Sequence, residues 1–166
     1  MFTLYNQPTL VEEYLSGREF TVAVIKSSNG ITTSFPIEIT PPTSTSGLRI
    51  LGAYAKATDT ETLKKMNSDE IESVNKLALA SFEGLGVRGF GRIDVKMNNL
   101  GECYFMEANL VPGMNRGTSY FPRACEIQND ISYDYVVELM LEESMARASV
   151  GKLLNKIQEH EMANIL

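Results

Sequence analysis

Gly91-Arg92-Ile93-Asp94-Val95, followed downstream by Phe105-Met106-Glu107-Ala108-Asn109, holds the side chains best suited to chemistry. Alternate residues of a strand share a face, so Arg92 and Asp94 project one way and Ile93 and Val95 the other. Glu107 and Asn109 share a face in the same way, opposite Met106 and Ala108. An even-numbered loop over residues 98–101 brings Asp94 and Glu107 to one side of the ribbon. Two carboxylates and an amide oxygen then converge beside a guanidinium. Hard oxygen donors of this kind suit magnesium or manganese, which combine a few protein oxygens with substrate phosphates. The competing reading is a solvent-facing hairpin in which Arg92 merely pairs with Asp94 or Glu107. The loop at residues 110–119 tips the choice. It is rich in glycine and polar groups, lacks core periodicity, and offers backbone N–H groups that can approach an oxyanion closely. Strict alternation also puts Cys103 on the Glu107 face, as a thiol with nothing nearby to activate it.

The elements that must position this hairpin follow from patterning. Residues 20–26 are rich in β-branched side chains and predict a strand, and a turn at 27–30 leads to a second strand over 31–39. Residues 40–47 hold Pro41, Pro42 and several Ser/Thr, which predicts an exposed loop. From Ser68, Ile71, Val74, Leu77, Ala78 and Phe82 recur at helical spacing, ending at Gly84. Strands over 91–97 and 102–108 form the carboxylate hairpin. A helix over 133–146 and a weakly amphipathic tail over 152–166 complete an α+β layout. Gly84-Leu85-Gly86-Val87-Arg88-Gly89 matches the dinucleotide fingerprint as a string. That site needs a strand before the glycines and a helix after them. Here a helix precedes and a strand follows, so the glycines are read as a helix stop and a turn.

Composition excludes several classes. The 166 residues predict one ordinary domain. With 43% hydrophobic and 22% charged residues the chain is not disordered. Fifteen basic against twenty-one acidic residues, a net charge of −6, leave no broad footprint for nucleic acid. The single histidine, His160 near the C-terminus, leaves no multi-histidine metal site and argues against Ser-His-Asp catalysis. Cys103 and Cys125 read as two reduced thiols, with one bridge as the alternative. No run approaches the ~20 apolar residues of a membrane helix. A basic segment followed by an apolar run is also missing from the N-terminus. The expectation is a cytoplasmic protein without membrane or nucleic-acid partners.

Taken jointly, Gly89-Phe90-Gly91-Arg92-Ile93-Asp94, Tyr104-Phe105-Met106-Glu107-Ala108-Asn109 and Pro112-Gly113-Met114 resemble the C-terminal part of the ATP-grasp fold, specifically D-alanine–D-alanine ligases. Upstream, Val11-Glu12-Glu13-Tyr14-Leu15-Ser16-Gly17-Arg18-Glu19-Phe20-Thr21-Val22-Ala23-Val24 resembles the same family's hinge and adenine-binding strand. Ala53-Tyr54-Ala55-Lys56 is similar to its Tyr-x-x-Lys-Tyr segment, with Ala57 in place of the aromatic. The similarity runs over about residues 9–146. It implies an antiparallel sheet with flanking helices over residues 17–147. Residues 1–16 would be the hinge and the end of a small subdomain, and residues 148–166 a helical tail.

The resemblance also implies roles. Asp94, Glu107 and Asn109 would hold two magnesium (or manganese) ions bridging the phosphates of ATP. Arg92 would stabilise charge on the transferring phosphoryl group and the tetrahedral intermediate. Glu12, Glu13, Tyr14 and Leu15 of the hinge would meet adenine, Glu19 the ribose, and Lys56 would belong to the nucleotide site. The Gly113 N–H would serve an oxyanion hole, while Ser119 and Tyr120 would bind the carboxylate of an amino acid substrate. The implied activity is ATP-dependent carbon–nitrogen ligation through an acyl phosphate.

Two departures qualify it. The loop from Pro112 to Ser119 carries one residue more than the family pattern and contains Arg116. Arg116 or Arg123 then becomes a candidate reader of a different amino acid or peptide carboxylate. The family's N-terminal substrate domain and phosphate lid do not precede residue 9. A fragment that is inactive alone is expected, completed by a separate N-terminal half or assembled as a homo-oligomer. A non-catalytic nucleotide-binding or assembly module is the alternative.

Overall fold

The computed structural model describes residues 6–43, 49 and 60–163. Lys56 and the segment that carries it lie outside the described residues. Five strands form one sheet: β1 (Glu19–Lys26), β2 (Thr32–Thr40), β3 (Thr62–Lys65), β4 (Phe90–Met97) and β5 (Cys103–Asn109). Their order is β3-β2-β1-β4-β5, with every neighbouring pair antiparallel. Among the described residues three helices pack on it: α1 (Ser68–Gly84), α2 (Tyr120–Asn129) and α3 (Tyr133–Ala163). The expected α+β architecture, an antiparallel sheet with flanking helices, is what the chain adopts.

β1 is the central strand, hydrogen-bonded along both edges, and its residues 20–25 are all buried. On one face α1 lays Val74, Ala78 and Phe82, spaced by one helical turn, onto Phe20, Val22, Val24, Ile93 and Val95. On the other face Phe121, Ala124 and Cys125 of α2 and Val136 of α3 cover Ala23, Ile25, Phe35 and Ile37. The glycine run behaves as a helix stop: α1 ends at Gly84, and Gly86 (φ +63) and Gly89 (φ +76) turn the chain into β4. Cys103 and Cys125 are both free thiols.

Three features differ from the sequence expectation. β3 is an edge strand of four residues with only Leu63 apolar, too short to show alternation. α2 was hidden by Pro122, which sits in its first turn where no intrahelical N–H donor is needed. α3 runs unbroken to Ala163 instead of stopping near 146.

The β4–β5 hairpin holds a further correction. Met97 pairs with Cys103, so five residues connect the paired positions, an odd number. Asn98 organises the turn: its side-chain oxygen accepts from the N–H of Leu100 at 2.9 Å and of Glu102 at 3.0 Å. Val95 faces Phe105, but the next pair is Asp94 with Glu107, because a β-bulge leaves Met106 unpaired. Without the bulge, this turn would set Met106 opposite Asp94. The extra residue returns the two carboxylates to one face and sets them directly opposite each other. It also reverses the alternation beyond it, so Cys103 packs on the α1 side with Met97 and Ala108, away from the face of Glu107.

Candidate functional site

α2 and α3 cover only one end of their sheet face. Toward the start of β1 the same face carries Glu19, Thr21, Lys96, Asp94, Arg92, Glu107 and Asn109. Register brings them together: Glu19 pairs with Lys96, Thr21 with Asp94, Asp94 with Glu107 and Arg92 with Asn109. Partners directly opposite on paired strands lie within side-chain reach.

Arg92 is the hub. Its Nε donates to Asp94 Oδ1 at 3.0 Å and its Nη2 to Asp94 Oδ2 at 2.9 Å, a bidentate contact. The same Nη2 lies 3.5 Å from Glu107 Oε1. Thr21 Oγ1 donates to Asp94 Oδ1 at 2.7 Å, and Asn109 Nδ2 donates to Glu107 Oε1 at 3.0 Å. The two carboxylates differ in burial: the Asp94 side chain is 19% exposed and that of Glu107 56%. Burial pushes the Asp94 carboxyl above the ordinary aspartate range, although the hydrogen bonds from Arg92 and Thr21 both favour its charged form. Among the described residues no three His, Cys, Asp or Glu side chains group to hold a metal. The donor set is two carboxylates and an amide oxygen, which fits an oxygen-loving divalent ion completed by water or phosphate. Such an ion would share Asp94 with Arg92.

A second cluster adjoins it. Lys96 Nζ lies 3.0 Å from Glu19 Oε2 and 5.5 Å from the centre of the Tyr14 ring. Tyr14 donates its hydroxyl to the Arg49 carbonyl at 3.2 Å. Together with Arg18 these groups line a cavity of about 490 Å³. Arg18 bridges Glu38 (2.8 Å) and Glu70 (2.9 Å), and both carboxylates hold its proton more tightly. Of the nucleotide candidates, Tyr14 and Glu19 therefore meet in one cavity. Glu12 and Glu13 are exposed and Leu15 is half-buried on the irregular segment leading into β1, and none of the three lines the cavity.

The loop before α2 forms the third part. Gly113 lies so close to Ser119 that a Cβ there would come within 2.9 Å of Ser119 Oγ. Ser119 Oγ in turn accepts from the Asn115 N–H at 2.9 Å. The Tyr120 hydroxyl donates to the Glu61 carboxylate, and its ring centre lies 5.6 Å from the Arg92 guanidinium carbon. The Tyr120 hydroxyl thus points to a protein carboxylate. Arg116, with Arg123 one of two candidate readers of a substrate carboxylate, pairs with Asp134 and stacks 4.2 Å from the Tyr133 ring centre.

Three residues of this region escaped sequence reasoning. Thr21 and Lys96 were within reach, since each lies two positions from a singled-out residue on the same strand. Glu61 carried no local signal, because a fold contact with Tyr120, 59 positions away, gives it its place.

The family profile described as "D-ala D-ala ligase C-terminus" matches residues 2–142. The chain belongs to this family. A D-alanine–D-alanine ligase from Thermotoga petrophila is 32% identical over 145 residues, covering 85% of this chain and 45% of the relative. The chain thus spans less than half the length of that D-alanine–D-alanine ligase. Among solved structures, the D-alanine–D-alanine ligase of Coxiella burnetii superposes with a TM-score of 0.69 at 18% identity, covering 92% of this chain and 38% of that one. The Bacillus anthracis D-alanine–D-alanine ligase, solved in complex with ATP, gives a TM-score of 0.60 at 24% identity, with coverages of 81% and 40%. These two likenesses identify the D-alanine–D-alanine ligase C-terminal fold. No helix among the described residues is long and apolar enough to cross a membrane.

Proposed function

We propose that this chain is the nucleotide- and metal-binding part of an ATP-dependent carbon–nitrogen ligase that joins two amino acids, of the D-alanine–D-alanine type. The observation that carries this reading is Arg92 set against two facing carboxylates, Asp94 and Glu107, at the end of the sheet that α2 and α3 do not cover. Asp94, Glu107 and Asn109 would hold magnesium or manganese, whose charge neutralises the phosphates of bound ATP. Glu19 and Tyr14, with Lys96, would receive the nucleoside in the adjoining cavity. In the reaction, the γ-phosphoryl group passes to a substrate carboxylate, releasing ADP and leaving an acyl phosphate. The amine of the second amino acid then attacks the carbonyl carbon and phosphate leaves. Arg92 would stabilise charge on the transferring group. The Gly113 N–H would take the carbonyl oxygen, and Ser119 with the backbone of Tyr120 the second carboxylate.

Calorimetric titration with a non-hydrolysable ATP analogue tests the reading. Binding that needs magnesium and is lost in Glu107→Gln is the expected result. A chain that binds no nucleotide with or without magnesium overturns it.

A second reading concerns partners. Leu10 and Val11 on the lead-in segment and Phe105, Met106, Leu110 and Val111 at the β5 edge are all exposed. The relatives are more than twice as long as the segment they share with this chain. A complementing N-terminal half is the partner this favours, with a second copy of the chain as the rival. Ligase activity on mixing with the N-terminal half of a relative supports the first. A dimer by sedimentation, with no activity on mixing, supports the second.

A further inference from the structure

Glu61 stands immediately before β3, at the opposite edge of the sheet from the carboxylate hairpin. It is only 8% exposed, yet it belongs to neither apolar core. One carboxylate oxygen accepts the Tyr120 hydroxyl, and the other is sealed from solvent with no hydrogen-bond partner among the described residues. Burying a carboxylate this poorly satisfied is costly, so its retention calls for a use. The contact pattern supplies one. Tyr120 opens α2, and its ring spans from Glu61 to Arg92, 5.6 Å from the guanidinium carbon, while Arg92 reaches on to Asp94 and Glu107. A continuous path of side chains therefore crosses the sheet from the β3 edge, over β2 and β1, to β4. It runs along the boundary between the helix-covered end of the face and the charged end.

We infer that Glu61 is a positioning residue: by holding the Tyr120 hydroxyl it keeps the Tyr120 ring against Arg92, and so fixes the guanidinium that faces Asp94 and Glu107. A phenol tethered at its hydroxyl cannot swing about χ1, and a tethered ring presents a constant face to the cation. The functional meaning rests on the nucleotide-site reading above, but the tether itself does not.

The test is hydrogen exchange at the Arg92 Nε–H, followed by NMR on the whole chain. Glu61→Ala and Tyr120→Phe should each speed exchange about tenfold, the size of a typical coupling between contacting residues. The double variant should exchange no faster than either single one. Glu61→Gln, which keeps an acceptor for the phenol, should restore the slow rate. Unchanged exchange in Tyr120→Phe, or additive effects in the double variant, overturns the inference. Should Glu61→Ala fail to fold, Tyr120→Phe and Glu61→Gln decide the matter between them. A nucleotide titration of the same samples separates the two ideas. Absent binding in the unaltered chain defeats the functional reading alone, whereas unaltered Arg92 exchange defeats the tether alone.

Discussion

One face of one sheet does two jobs, and its two ends differ in almost every physical respect. At the covered end Ala23, Ile25, Phe35 and Ile37 meet Phe121, Ala124, Cys125 and Val136, all at most 3% exposed. At the other end the same strands present Glu19, Thr21, Arg92, Asp94 and Lys96, held by ion pairs and hydrogen bonds. Each large apolar side chain buried at the first end stabilises the fold by about 1.5–3 kcal/mol. Charge pairs at the second end contribute little net stability, since desolvation offsets most of their attraction. Ala23 and Thr21 are two residues apart on β1, and Arg92 and Asp94 two apart on β4. On β1 a single step of the strand repeat thus separates the apolar end of the face from the charged end. Stability is concentrated where the helices lie, which relieves the polar end of that packing role.

The comparison breaks most visibly at Phe121. Phe121→Ala should cost about 3–5 kcal/mol of stability by calorimetric or denaturant unfolding, because it empties the centre of the covered end. Loss of nucleotide binding by the fraction that stays folded would contradict the division of labour.

Next in size is a pH effect at Cys125. Burial pushes its thiol up to about 12. An unfolded thiol ionises near pH 8.5 while the folded one stays protonated, so the unfolded state gains as pH rises. This contribution is intact below pH 8.5 and declines by up to about 1.4 kcal/mol per pH unit toward 12. Urea midpoints between pH 8 and 10 should fall less steeply in Cys125→Ala. Native alkylation should modify the half-exposed Cys103 and spare Cys125.

At the charged end Glu107→Gln should move stability by less than about 1 kcal/mol, since its side chain is 56% exposed. Magnesium-dependent nucleotide affinity should nonetheless fall at least about tenfold, or ~1.4 kcal/mol. A loss of stability comparable with Phe121→Ala would mean that the two ends are not distinct. The smallest effect is expected at Lys96→Met, about 1 kcal/mol, with a thermal midpoint that responds less to added salt because the Glu19 pair is gone.

Much of this arrangement was legible before any fold was known. The apolar repeat from Val74 to Phe82 marked α1, and alternation along β4 sorted Arg92 and Asp94 from Ile93 and Val95. The glycines of residues 84–89 were read correctly as a stop because element order, not the string, decides whether a phosphate can bind there. β3 and α2 were missed for local reasons, one too short to show a period and the other masked by Pro122. The hairpin brought Asp94 and Glu107 to one face, as expected, by an unexpected route, an odd connection corrected by a bulge. The side assigned to Cys103 was lost in the same step.

What the sequence determined by itself is whatever depends on neighbours in the chain: the period of each element, the stop at Gly84, and which residues of one strand share a face. Those follow from backbone geometry, which repeats every two residues in a strand and every 3.6 in a helix. The tertiary structure alone decided register across β4 and β5, the burial that separates Asp94 from Glu107, and the meeting of Glu61, Tyr120 and Arg92. These depend on a turn, a bulge and a packed helix acting together over tens of residues. No local pattern encodes a distance between strands.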